Sequence, residues 1–178
     1  MPHDVAEAPD PFAFARKIYN IKSDEKIVVI GAGPAGLFAA NAFAEAGLKP
    51  VLLERGQPVE IRAQHVSALM HKGELLEDSN ICFGEGGAGT WSDGKLYTRV
   101  NDPRCRQVLE TIVELGGPER ILVDGKPHLG TDRLVALCKA FRARLTALGA
   151  QVRFGETVQD FRAEAGKLVG VELVSGEF

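Results

Sequence analysis

Short apolar runs alternate along this chain with longer stretches of helical spacing. Lys26 to Ile30 is a β-branched run that stops at Gly31, the pattern of a buried strand. Pro34 to Ala46 carries Leu37, Phe38 and Phe43 among alanines, and Gly47 is a natural stop, which predicts a helix. Val51 to Leu53 predicts a second buried strand. Strand, helix and strand in so few residues make a βαβ unit with parallel strands. From Gln57 to Asp78 the pattern is polar and weakly helical, and Asn80 to Lys95 is rich in glycine. Asp102 and Pro103 suit the N-cap and first position of a helix through Val108, Ile112 and Leu115 that ends at Gly116-Gly117. Ile121 to Val123 before Asp124-Gly125 predicts a short strand and a tight turn. Leu134, Leu137, Cys138, Phe141, Leu145 and Leu148 share one helical face, capped by Thr131 or Asp132 and stopped by Gly149. Val152 to Phe154 is a third strand. Val158 to Phe161 and Leu168 to Val174 form an antiparallel hairpin turning near Ala165-Gly166.

The predicted fold is therefore α/β. A parallel sheet contains residues 26–30, 51–54 and 152–154, helices pack on it, and an antiparallel β-meander is cut short. Residues 1–24 read as an arm, and residues 25–178 as one domain that is incomplete at its C-terminal end. The last strand keeps an unpaired edge, so a longer parent protein is expected.

Composition adds limits. The chain has 178 residues, a net charge of −3 and 45% hydrophobic residues, which suits one globular domain. The absence of a basic field argues against nucleic acid. No apolar run approaches the roughly 18 residues of a membrane span. Asp4, Glu7 and Asp10 stand where a signal peptide would be apolar, so a cytoplasmic location is expected. Cys82, Cys105 and Cys138 are far apart and odd in number, so neither a disulfide framework nor a metal site is expected.

Gly31-Ala32-Gly33-Pro34-Ala35-Gly36 matches G-x-G-x-x-G, and it follows a strand and opens a helix. The pattern gives Gly31 the tight turn and Gly33 the close approach of a pyrophosphate. Gly36 lets the helix pack on the strand. The helix N-terminus then faces the phosphates. Glu54 ends the second strand 18 residues after Gly36. A carboxylate there accepts from ribose hydroxyls and repels a 2′-phosphate, an effect that Arg55 weakens slightly.

Gly84-Glu85-Gly86-Gly87-Ala88-Gly89 spells the same pattern without a helix behind it. Gly89 to Lys95 also fits the start of a P-loop, but Leu96 stands where the Mg²⁺-binding hydroxyl belongs, so an NTPase is rejected. The stretch is either a nest of backbone N–H donors for the far end of an elongated ligand or a plain loop.

On these residues, Val28 to Gly56 (VVIGAGPAGLFAANAFAEAGLKPVLLERG) resembles the FAD-binding βαβ unit of the glutathione-reductase-like flavoprotein superfamily. Asn80 to Arg99 and Lys126 to Leu134 resemble a narrower group, the bacterial NAD(FAD)-utilizing dehydrogenases. The resemblance implies a Rossmann-like FAD/NAD(P)-binding domain. It places Gly31, Gly33, Pro34, Ala35 and Gly36 at the FAD pyrophosphate, and Glu54 with Arg55 at the adenosine ribose. Gly86, Gly87, Ala88, Gly89 and Thr90 would lie near the pyrophosphate, ribityl or flavin, and the Val158 backbone at adenine. It also implies NAD(P)H or another soluble electron partner, with the rest of the same protein covering the flavin. In such a protein the flavin carries the hydride chemistry and no catalytic side chain is named.

Other residues stay open. Arg62 either salt-bridges the cofactor or solvates a helix. Trp91 packs near the flavin or covers the loop. The histidines form no triad. The alternative function is a non-catalytic module for NAD or an ADP-containing ligand, which would leave the second glycine cluster unused.

Overall fold

The computed structural model describes residues 26–100 and 102–176. The arm at 1–24 lies outside them. Three parallel strands, β1 (Val28–Ile30), β2 (Val51–Glu54) and β3 (Gln151–Phe154), pair in the order β1-β2-β3. Four helices follow the predicted stripes: α1 (Pro34–Glu45), α2 (Val59–Lys72), α3 (Arg104–Glu114) and α4 (Thr131–Ala147). A two-stranded antiparallel sheet closes the described chain, β4 (Val158–Glu164) and β5 (Lys167–Leu173). Its turn has positive φ at both Ala165 (49°) and Gly166 (77°), the type I′ geometry that matches strand twist.

The main core lies between α1, α4 and the sheet. Leu37, Ala40 and Ala44 of α1 meet Leu52 of β2 and Phe141 and Leu145 of α4. Phe38 and Phe141 pack edge to face, with centroids 5.0 Å apart. A second cluster joins Ile112, Ile121 and Leu129. A third seats Val171 and Leu173 of β5 against Leu53. Arg144 of α4 ties the helices at the surface by reaching Glu45 and Glu114.

Four sequence expectations need correction. Residues 121–123 are not a strand, because a 3-10 turn spans Glu119–Leu122 and Ile121 is driven inward against Ile112 and Leu129 with no strand beside it. The α4 N-cap is Gly130, without a side-chain cap, while the Thr131 hydroxyl donates to the Ser92 carbonyl at 2.7 Å. β1 is not buried on both faces. It is an edge strand among the described residues, so Val28 and Ile30 are exposed and Val29 packs on the core. The α3 N-cap is Pro103 rather than Asp102, which sits one residue earlier and accepts with its Oδ1 from the Arg104 N–H at 2.8 Å.

The packing of α1 on the sheet depends on one missing side chain. A Cβ on Gly36 would overlap the carbonyl oxygen of Gly31, which is backbone and cannot swing aside. Gly36→Ala is expected to cost about 2 kcal/mol or more through forced backbone shifts. Gly170→Ala, where a Cβ meets open space, is expected to change stability by less than about 0.5 kcal/mol. Urea midpoints of the two variants check the contrast.

Candidate cofactor site

The first glycine turn is built from the end of β1 and the start of α1. The Gly31 N–H donates to the Leu53 carbonyl at 2.7 Å, which holds the turn against β2. Glu54 is buried and brackets the same turn. Its Oε2 accepts from the Ala32 N–H at 2.6 Å and its Oε1 from the Gly56 N–H at 2.8 Å. A carboxylate offers about four acceptor positions, so half its capacity stays open. Pro34 occupies the first helical position and no side chain caps α1. The N–H groups of Ala35 and Gly36 therefore have no partner within the helix. A Cβ at Gly31 or Gly33 would meet nothing within 4 Å. Free donors, a helix N-terminus and open space together suit an anion.

The second glycine cluster folds directly onto the first. The Gly86 N–H donates to the Ala32 carbonyl at 2.7 Å. A Cβ on Gly87 would come within 3.4 Å of both Gly33 Cα and Pro34 Cδ. Gly86 has a φ of +82°, and its Cβ would strike the Thr90 hydroxyl and approach Cys138 Sγ to 2.5 Å. Neither the conformation nor the space admits a side chain. A 3-10 turn, Ala88–Trp91, follows. Ala88 and Gly89 are exposed, as are Pro34 and Ala35, and Gly87 joins the two clusters where it meets Gly33 and Pro34.

Beneath the second cluster lies a polar support that sequence reading did not assign. Arg62 of α2 has no exposed surface. Its guanidinium donates to the carbonyls of Asn80 (2.8 Å), Glu85 (2.6 Å) and Ile81 (2.7 Å) and to the Thr90 hydroxyl (3.2 Å). Arg62 is thus not solvated, and its donors point into the loop. Glu85 is buried as well. Its Oε2 accepts from the Val59 N–H that opens α2 (2.8 Å) and from Arg142 Nη1 of α4 (3.0 Å). Burial pushes the Glu85 carboxyl above its ordinary value and pushes the Arg62 guanidinium below its own. Asn80 orders the approach to the loop: its amide donates to Leu76 and Glu77 carbonyls, and its Oδ1 accepts from the N–H groups of Cys82 and Phe83.

The remaining candidates fall as follows. The Thr90 hydroxyl is spent inside the loop, donating to the Glu85 carbonyl at 3.1 Å. Arg55 pairs with Asp78 at 3.5 Å and lies 4.1 Å above the Phe83 ring, which ties the end of β2 to the loop approach. Val158 begins β4 and packs beside Leu53. Trp91 lies near Arg62, whose guanidinium carbon is 5.9 Å from the ring centroid. His128 is exposed and bridges Lys95. The three cysteines are unpaired, and the described residues contain no metal-binding group of His, Cys, Asp and Glu. No helix among them is long and apolar enough to cross a membrane.

Comparison with known proteins bears on this geometry. Residues 26–70, which carry the first glycine turn, Glu54 and Arg62, match the FAD binding domain family. An uncharacterized protein of Clostridium beijerinckii is 42% identical over 171 residues, covering 93% of this chain and 32% of that protein. A thiamine thiazole synthase of Methanococcus vannielii is 27% identical over 149 residues, covering 84% of this chain and 46% of that enzyme. The chain thus spans less than half the length of these relatives. The solved 3-ketosteroid-delta4-(5alpha)-dehydrogenase of Rhodococcus jostii superposes with a TM-score of 0.52 at 16% identity, covering 88% of this chain and 44% of that one. That likeness shows a shared fold, the Rossmann-like α/β architecture.

Cys138 reports on how the second cluster seats on α4. Burial pushes its thiol up to about 11 from an ordinary 9.0. A raised folded-state value stabilises the fold below the unfolded value, and that stability is lost as pH climbs through the folded one. Between about pH 9 and pH 11 the protein is expected to lose on the order of 2–3 kcal/mol from this group. Cys138→Ala is expected to show a shallower decline over the same window, measured by urea denaturation at each pH.

Proposed function

We propose that this chain is the FAD-binding part of a flavin-dependent oxidoreductase, a dehydrogenase acting in the cytoplasm. The observation that carries the reading is the junction of the two glycine clusters, with an open anion cradle on one and exposed backbone at Ala88 and Gly89 on the other. A module that used only an ADP-containing ligand would have no need of the second. When bound, the flavin supplies the hydride or electron transfer, and these residues bind and orient it.

In this reading the N–H groups of Ala35 and Gly36 hold the pyrophosphate in the space before Gly31 and Gly33. Glu54 turns its open acceptor positions to the adenosine ribose, with Arg55 next to it. The strip from Gly86 through Gly89 runs along the ribityl and flavin end. The Val158 backbone meets adenine. NAD(P)H is the proposed electron partner, and the rest of a longer protein covers both the flavin and the open edge of β1.

The test separates fold from ligand. Gly33 has a φ of −71° and free space at its Cβ, so Gly33→Ala is expected to leave the urea midpoint unchanged. The added methyl stands where the pyrophosphate must approach, and FAD affinity is expected to fall by about tenfold or more. The full-length protein is purified, its visible spectrum is recorded, and the ligand released on denaturation is identified. A colourless full-length protein that also takes up no added FAD contradicts the proposal.

A further inference from the structure

We infer that Arg62 is a positioning residue for the cofactor: buried under the second glycine loop, it holds that loop against the first and so builds the half of the site that an ADP moiety does not reach. The inference rests on the FAD reading above and extends it to a residue that has no surface with which to touch a ligand.

Four observations converge. Arg62 has no exposed surface, and four of its five N–H directions end on the loop and its approach, at Asn80, Ile81, Glu85 and Thr90. Its stem also fills the space under Gly84, where a Cβ would approach Arg62 Cδ to 2.6 Å. Its bonds go to carbonyls and a hydroxyl, and none of them goes to a carboxylate. Burying a cation on neutral acceptors is costly and suits a place where its fork geometry shapes the backbone. The loop so held is the one whose Gly86 N–H bonds the Ala32 carbonyl and whose Gly87 lies on Gly33. Glu85 then ties the same loop to the start of α2 and to α4, which fixes the platform from which Arg62 acts.

The geometry divides the site in two. The first cluster and Glu54 are held by hydrogen bonds within β1, β2 and the turn between β1 and α1, and no Arg62 hydrogen bond reaches them; the Arg62 charge acts on Glu54 only through space. The second cluster depends on Arg62. Weakening Arg62 therefore damages the contact with the flavin-bearing half and spares the contact with the ADP half. A general loss of stability would weaken both ligands alike.

The experiment uses the full-length protein stripped of flavin, titrated separately with FAD and with ADP. Arg62→Lys and Arg62→Met are compared with wild type, and Thr90→Val serves as a gentler second probe of the same contact. The expected result is a rise in the FAD dissociation constant of about 30-fold for Arg62→Met, less for Arg62→Lys, and about fivefold for Thr90→Val. The ADP constant is expected to stay within about threefold throughout. If Arg62→Met does not fold, Thr90→Val carries the test through the same ratio. Equal weakening of FAD and ADP overturns the inference, and so does unchanged FAD binding by folded variants. A wild-type protein that binds ADP and no FAD instead overturns the FAD reading, which keeps the two failures distinct.

Discussion

A single backbone hydrogen bond, from the Gly86 N–H to the Ala32 carbonyl, joins two glycine-rich turns that are far apart in sequence. The bond forms because Gly86 and Gly87 bring no side chain to the place where they meet Ala32, Gly33 and Pro34. Gly87 lies against Gly33 and Pro34, and Gly84 lies against Gly56 and the stem of Arg62. This shared surface requires backbone to approach backbone, and glycine is what permits it. The path of the chain from Asn80 to Trp91 is anchored to the βαβ unit at that contact.

Charge maintains what glycine permits. Arg62 and Glu85 are both buried, yet they are not paired side chain to side chain. Arg62 acts on carbonyls, and Glu85 acts on a helix N-terminus and on Arg142. Each converts one long-range contact into a fixed backbone position. Glu54 does the same at the first turn, where it accepts two N–H groups. Three ionisable residues thus hold a surface that is itself made almost wholly of backbone. At the first turn it offers the N–H groups of Ala35 and Gly36 to an anionic ligand, while the N–H groups of Glu85, Gly86, Gly87 and Thr90 are bonded within the protein.

The parts of this arrangement that were legible in sequence are local ones. An apolar run ending at Gly31, a helix opened by Pro34 and stopped by Gly47, and the stripe from Leu134 to Leu148 each contain their own signal. The 3-10 turn at Glu119–Leu122 does not, because Ile121 is placed by Ile112 and Leu129 rather than by its neighbours. The exposure of β1 depends on which strand lies at the sheet edge, and the same run of residues serves at an edge or a centre. Asn80, Glu85 and Arg142 were missed since their partners are backbone groups or charges on other elements. Arg62 had one usable signal: it lies three residues after Val59 on the inward face of α2, and both are buried. The spacing marks the face, but only the packed loop shows what the guanidinium holds.

The claim that both glycine clusters form one cofactor site is tested most directly by amide hydrogen exchange on the full-length protein with and without FAD. The account predicts that residues 31–36 and 84–90 gain protection together on FAD addition, with α3 unchanged. Protection confined to 31–36, or absent from both segments while FAD is bound, would contradict it.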